Sequence, residues 1–211
     1  MITAIPIHEI INILERQLDN LFSCSEDDRT IITHVITKEG GALFRLEKCF
    51  APNPNKYYHR EGQTFFNPFH SGQYNIFLYF VSNEVWKEGY TLLADKIYFL
   101  NKSLNADDLF YEVELPEFFM LDHPMGSVMG RAKYSNGFSF SQCCTVGNNR
   151  GVYPVIGDNC EMCMNSAIIG NCVIGDNVTL GAGALVKDTD IPSNSLVFGQ
   201  SPNLIIKKKK E

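Results

Sequence analysis

Residues 155–190 divide into six consecutive hexads: VIGDNC, EMCMNS, AIIGNC, VIGDNV, TLGAGA and LVKDTD. Their second positions are Ile156, Met162, Ile168, Ile174, Leu180 and Val186, apolar in every unit. Gly157, Gly175 and Gly181 follow that residue in three of the six units. An α-helix turns once every 3.6 residues and does not keep a period of six in phase over six units. A parallel β-helix does. Each triangular coil takes three hexads, one aliphatic side chain fills each face, and Gly or Asn makes the corners.

The remainder of the chain has a different character. Of 25 aromatic residues among 211, 20 lie at or before Phe119, whereas 11 of 16 glycines and five of seven cysteines follow His123. Two architectures are expected, with a seam between residues 105 and 122. No stretch rich in Pro, Gly or Ser separates them, which predicts packed parts and not parts that swing independently. The expected fold class is mainly β with an α-helical N-terminal part. The expected divisions are a helical domain over 1–105, a β-helix over 106–206 and a basic tail over 207–211.

In the first part, Ile7, Ile10, Ile11, Leu14, Leu18, Leu21 and Phe22 follow helical spacing, with Glu9, Arg16 and Asp19 off the stripe. Residues 71–87 read as a second helix, ended near Gly89. Leu92, Leu93, Ile97, Leu100 and Leu104 mark a third. The stretch 30–50 suits helix or strand, and Pro52 and Pro54 punctuate a loop. The stretch 70–74 (HSGQY) has no motif spacing and reads as core or capping residues, with lining of the acceptor cleft as the alternative.

From Asp108 to about Ile206 the chain resembles the hexapeptide-repeat acyltransferases, and within them serine O-acetyltransferase. The matching stretches are 120–123 (MLDH), 126–130 (GSVMG), 142–147 (QCCTVG), 153–157 (YPVIG), Gly170-Asn171 and 180–184 (LGAGA) before Pro192. The resemblance implies a left-handed parallel β-helix, an exception to the right-handed crossover rule. It also implies acetyl-CoA as donor and a homotrimer, or a dimer of trimers, with active sites in clefts between neighbouring subunits.

Acyl transfer from a thioester to an alcohol or amine needs a base to take the acceptor's proton, and His has a suitable pKa. A partner carboxylate fixes the tautomer and stabilises the imidazolium. Of His8, His34, His59, His70 and His123, only His123 falls within the resemblance, in the motif that the family uses for its base. Asp108 lies 15 residues upstream, close to one coil, where an adjacent rung could bring it beside His123; Glu112 and Glu114 compete for that role. The spacing of Asp108 also matches the family's His-orienting aspartate. Asp122 matches a position that contacts the acceptor. The stretches Asn165, Ser166, Ala167 and Gly181, Ala182, Gly183, Ala184 match the surface along which the pantetheine arm lies. Small residues there let a thin arm approach the backbone and pair with its amides.

One segment departs from the pattern. Before the Pro-x-Ile-Gly match, serine O-acetyltransferases have a longer loop ending in Arg-His, a pair that helps to hold the amino acid's carboxylate. Here Val152 and Tyr153 stand in those places, with Arg150 two residues away. Loss of such a clamp weakens selection for a free amino acid. The small-molecule acceptor is therefore serine or an amino- or nucleotide-linked sugar. A non-catalytic scaffold that kept the β-helix is the alternative, opposed by the intact Asp122-His123 motif.

A formal charge of −6 argues against nucleic acid as the main partner. The longest apolar run, 76–81, is too short to cross a membrane. Glu9 and Glu15 interrupt what an export signal would need, so a cytoplasmic location with reduced thiols is expected. Cys160-x-x-Cys163 lacks a second such pair, so no metal is expected. The lysines at 207–210 read as a solvated tail or as partners for the phosphates of coenzyme A.

Overall fold

The computed structural model describes residues 1–209. It divides into two compact units, Met1–Asn105 and from Ala106 onward.

The first unit holds a short strand β1 (Ile2–Thr3) and helices α1 (Ile7–Leu21), α2 (Glu26–Thr37) and α3 (Ala42–Phe50). A turn of 3-10 helix precedes strands β2 (His59–Arg60) and β3 (Gln63–Phe66), and then come α4 (Ser71–Lys87) and α5 (Thr91–Asn105). The undecided stretch 30–50 is helical throughout most of its length. It is split by Gly40 at φ +69 and by Gly41, where a Cβ would lie 2.4 Å from the Val35 carbonyl oxygen. The start of α2 is set by a capping box that the periodicity reading passes over. Asp28 N–H donates to Ser25 Oγ at 3.1 Å and Ser25 N–H donates to Asp28 Oδ2 at 3.0 Å.

Helix α4 is buried on nearly every side. His70 caps it, its Nδ1 accepting from Gln73 N–H at 3.3 Å. Because polar groups cannot be buried unpaired without cost, the two that link it to neighbouring segments, Gln73 and Glu84, are tied down. Gln73 donates to the Tyr57 carbonyl at 2.8 Å and accepts from Asn67 N–H at 2.7 Å. Glu84 takes Arg45 at 2.7 Å and Lys38 at 2.9 Å. Burial raises the Glu84 carboxyl's pKa, but the two cations outweigh it and hold the group below the ordinary glutamate value. No helix among the described residues is long and apolar enough to cross a membrane.

The second unit is a left-handed parallel β-helix of about four turns. Its strands are β4 (Phe119–Leu121), β5 (Val128–Met129), β6 (Lys133–Tyr134), β7 (Phe138–Phe140), β8 (Thr145–Gly147), β9 (Val155–Ile156), β10 (Glu161–Met162), β11 (Ala167–Ile169), β12 (Val173–Ile174), β13 (Thr179–Leu180) and β14 (Leu185–Lys187). An antiparallel hairpin, β15 (Ser195–Gln200) and β16 (Asn203–Lys208), ends it. One face stacks β4, β7, β10, β13 and β15, a second β5, β8, β11 and β14, and a third β6, β9 and β12.

Five of the six hexads turn two side chains inward, and the last, which ends on the exposed Asp190, turns one. The second-position residues are all at most 2% exposed, and so are Cys160, Ser166, Cys172, Val178 and Ala184 at the sixth. Full burial of an aliphatic side chain is worth about 1.5–3 kcal/mol, so the column of second positions is the main source of cohesion. Burial pushes the Cys160 thiol up to about 12, which makes it packing and not chemistry. Corners need a left-handed backbone, supplied by Asn159, Asn165, Asn177 and Gly183 at the fifth position and by Gly170 and Asp188 at the fourth.

Register exposes one irregular coil. Met162 sits over Phe140 and Ile156 over Tyr134, 22 residues apart, whereas Leu180 sits over Met162 at a spacing of 18. The four extra residues leave the coil in the loop 148–153. There Asn149 and Val152 exchange both backbone bonds at 3.0 Å around Arg150 and Gly151, at φ +51 and +80. This is a two-residue hairpin of type I′ character. Its foot is fastened by Asn149 Nδ2 donating to Asp188 Oδ2 at 2.6 Å, and Asp188 Oδ1 accepts from Asn171 N–H at 2.9 Å. These bonds hold the Asp188 carboxyl below the ordinary aspartate value. The lysine run is also placed: Lys207 and Lys208 belong to β16, so it begins in a paired strand and not in a free tail, because β15 offers a complete edge. Lys210 and Glu211 lie outside the described residues.

Two outcomes follow. Glu84→Gln leaves Lys38 and Arg45 without their shared carboxylate and costs about 1–3 kcal/mol in chemical denaturation at neutral pH. Because the folded-state pKa is lowered, this stabilisation is present above the unfolded value and is lost as pH falls through the folded one; the gap between wild type and variant narrows in acid. Asp188→Ala frees the hairpin's foot, so amide exchange at Asn171 and Asn149 accelerates while the second-position core residues stay protected.

Candidate functional site

His123 follows β4 at a corner of the coil and has a left-handed backbone, φ +51. The turn is held by Met125 N–H donating to the His123 carbonyl at 2.9 Å and Gly126 N–H donating to the Ala106 carbonyl at 2.8 Å. One rung on, Cys143 N–H donates to the Met125 carbonyl at 3.0 Å. Then Asn165 N–H donates to the Gln142 carbonyl at 2.9 Å, and Gly183 N–H to the Met164 carbonyl at 3.0 Å. Gly126, Cys143, Asn165 and Gly183, all with positive φ, therefore run along one edge of the prism, and His123 stands three residues before Gly126 in the same corner, which is two residues longer than the next. With rungs about 4.8 Å apart, Gly126 and Gly183 are separated by about 14 Å along that edge. Residues named from three separate motifs thus share one line on the surface.

The imidazole is open to solvent. Its Nε2 lies 3.8 Å from Asp122 Oδ1, and the two side chains are 85% and 79% exposed. A pair so exposed contributes little to stability, so folding alone does not account for it. Asp108 is fixed by its backbone to the next stretch: its N–H donates to the Ser127 carbonyl at 2.8 Å and its carbonyl accepts from Met129 N–H at 3.0 Å. That register sets Asp108 opposite Val128, five residues past His123, and not opposite His123 itself. Glu112 is engaged by Arg131.

The surface expected to meet a thin arm is partly closed. Ser166 and Ala184 point inward, 1% exposed each, and the Ser166 hydroxyl lies 3.7 Å from the buried Cys144 thiol. The N–H groups of Asn165, Ser166, Ala167, Gly181, Gly183 and Ala184 all donate within the coil. Those six amides are consequently committed to bonds within the coil. What remains outward on this edge includes Met164, Asn165, Ala182 and the Cβ side of Gly183, which has no atom within 4 Å.

Arg150 stands at the tip of the 148–153 hairpin, and Val152 and Tyr153 at its descending limb are 45% and 43% exposed. On the third face, Val155 and Val173 stack in register and are 43% and 52% exposed. Among the described residues no cluster of three or more His, Cys, Asp or Glu could hold a metal ion. Periodicity passed over Cys143 and Phe198, which stand on or beside the same edge. The signal available for Cys143 was its position one rung from Gly126, in the corner that carries His123, readable only once the coil lengths were known.

The pattern described as bacterial transferase hexapeptide (six repeats) matches residues 153–188. Serine acetyltransferase 2 of Arabidopsis thaliana is 32% identical over 141 residues, 64% of this chain and 43% of that protein. The chain thus spans less than half the length of that relative. A serine acetyltransferase of Staphylococcus xylosus is 26% identical over 66% of each chain. Among solved structures, the Neisseria gonorrhoeae serine acetyltransferase superposes with a TM-score of 0.76 at 21% identity, covering 96% of this chain and 79% of its own. The chain thus carries a hexapeptide repeat, is similar in sequence to serine acetyltransferases over about two-thirds of its length, and shares their fold.

Proposed function

We propose that this chain is an acetyl-CoA-dependent acetyltransferase of the serine acetyltransferase type. The observation that carries the reading is the edge whose first corner carries His123 and whose later corners carry Asn165, Ala182 and Gly183. An open imidazole at the head of such an edge, with the exposed Met125 and Met164 beside it, suits a donor with a long thin arm and a reactive end. The likeness to serine acetyltransferases supports it, and so do neighbouring structures of such enzymes bound to CoA and to serine.

In this reading His123 takes the proton of the acceptor's hydroxyl or amine as the acceptor's oxygen or nitrogen attacks the thioester carbonyl. The carbon–sulfur bond then breaks, and the imidazolium returns the proton to the departing thiolate. Asp108 orients the imidazole, which requires its side chain to reach back along the coil from the Val128 position. Asp122 contacts the acceptor. Cys144 is buried and Cys160 is held as a neutral thiol, so transfer is direct and neither serves as a covalent relay. The exposed valines of the third face and the hairpin beside them support a trimer in which a neighbouring copy covers Val155 and Val173 and completes the cleft.

A second acceptor class is favoured by one observation. The hairpin presents Val152 and Tyr153 and carries its guanidinium only at the tip, so an amino- or nucleotide-linked sugar stacking on Tyr153 competes with serine. Acetyl-CoA consumption against L-serine and against a panel of such sugars separates the two; thiol release with no acceptor turned over would refute both. His123→Asn lowers kcat by about 10²–10⁴ while the assembly sediments unchanged. Near-normal turnover in that variant overturns the assignment of the base. Val173→Asp shifts sedimentation from three chain masses to one; an unchanged sedimentation coefficient removes the third face from the interface.

A further inference from the structure

Helix α1 carries Glu9, Asn12, Ile13 and Arg16 at i, i+3, i+4 and i+7, so they share one face. Together with Ile5 before the helix, the Glu15–Arg29 pair and Phe69 before α4, they line a cavity of about 580 Å³. Its walls are fastened. Ala4 N–H donates to the Phe66 carbonyl at 2.9 Å, and Phe69 N–H donates to Asn67 Oδ1 at 3.0 Å. The hydroxyl of the buried Tyr74 donates to Gln17 Oε1 at 2.5 Å and so ties α4 to α1. Phe69 itself is 72% exposed, too open for its ring to serve the core.

The charges around the cavity differ in their commitments. Arg29 is met by Glu15 at 2.9 Å and also by Asp19, which neutralises it. Among the described residues, Arg16 donates only through Nε, to the Asn12 carbonyl at 3.3 Å, and its terminal nitrogens have no partner. Glu9 and Arg16 are about 10 Å apart along the helix axis, and this bond draws the guanidinium back towards Glu9, whose carboxylate is unpaired among the described residues. A free guanidinium edge and a free carboxylate thus flank the apolar lining made by Ile5, Ile13 and Phe69.

We propose that this cavity binds a free amino acid with an aromatic side chain, its carboxylate meeting Arg16, its ammonium meeting Glu9 and its ring packing on Phe69 between Ile5 and Ile13. The volume falls in the range of small-molecule sites, which pair apolar walls with a few converging polar groups. A guanidinium whose terminal nitrogens are free takes a carboxylate through two parallel bonds. A carboxylate nearby rejects a simple anion and favours a ligand that also carries a cation, so the two free charges together select a zwitterion. Phe69 offers an aromatic face for stacking, and the fastened walls hold it in place before the ligand arrives. Every lining residue belongs to the helical unit, so the proposal stands apart from the assignment of acetyl transfer.

Calorimetry on the full chain tests it with three probes: L-phenylalanine, phenylpropionate, which lacks the ammonium, and L-alanine, which lacks the ring. L-phenylalanine binds saturably, and the other two bind at least about tenfold more weakly. Arg16→Ala weakens L-phenylalanine by about 10–100-fold and Phe69→Ala by about tenfold, whereas Glu9→Gln erases the advantage over phenylpropionate. These side chains are exposed, so the variants keep the wild-type melting temperature. His123→Asn binds L-phenylalanine as the wild type does, which separates this site from the β-helix edge. Absence of saturable binding by L-phenylalanine would overturn the proposal, and so would unchanged affinity in both alanine variants or loss of binding in His123→Asn. Equal affinity for phenylpropionate in the wild type overturns the amino-acid class. Self-association that Phe69→Ala abolishes, with no L-phenylalanine bound by the wild type, gives the cavity to a second copy of the chain and overturns the proposal as well.

Discussion

Stacking in register governs this molecule. Each rung of the coil must set an aliphatic side chain over the one below, and each corner must turn through a left-handed residue without interrupting the ladder of amides and carbonyls. Asn and Gly meet that demand at most corners because they tolerate positive φ. His123, Cys143 and Arg150 also adopt it, although such side chains seldom do. A histidine held in a sparsely used conformation, open to solvent and paired only with an exposed aspartate, is where the chain's local preference gives way to position. The same alignment that buries Ile168 between Val146 and Val186 also lines up the outward residues of each corner. A surface track along the prism is thus a by-product of core packing.

The helical unit solves a different problem. Its central helix α4 is too thoroughly covered to have a polar face, yet it carries Gln73, Asn75, Ser82, Asn83 and Glu84 among its buried residues. Gln73 ties the loop around residues 57–67 to the helix start, and Glu84 gathers Lys38 and Arg45 from α2's end and α3. Satisfied polar groups of this kind favour one arrangement of the helices over sliding alternatives.

Much of this is legible in the residues, for identifiable reasons. Where hexads run without interruption, one residue in six reports the interior and the coil can be drawn directly. The helices α1 and α5 are readable from apolar spacing, whereas α4, buried on nearly every side, shows no such stripe. The stretch 30–50 resists because two helices meet at Gly40 and Gly41, so no single period covers it. Between residues 106 and 150 the coil lengths vary: Phe140 lies over Leu121 at a spacing of 19, and Val146 over Met129 at 17. Spacing arguments for Asp108 weaken there, and its backbone comes to rest opposite Val128. Amide availability is not readable at all from small residues, because Gly181 and Ala184 look open in sequence while the ladder consumes their N–H groups. The strand made by Asn203–Lys208 escapes notice since lysines suggest solvent before they suggest pairing.

The 22-residue coil has a wider meaning. Its four surplus residues leave the prism at a single corner, close on themselves in a two-residue hairpin and disturb neither rung on either side. Ile156 still covers Tyr134 and is itself covered by Ile174. A scaffold of this kind is modular at its corners: segments of different length and chemistry can be exchanged there without retuning the interior. Where such a segment carries part of a binding site, as proposed for the 148–153 hairpin, that part is free to diversify while the coil stays unchanged.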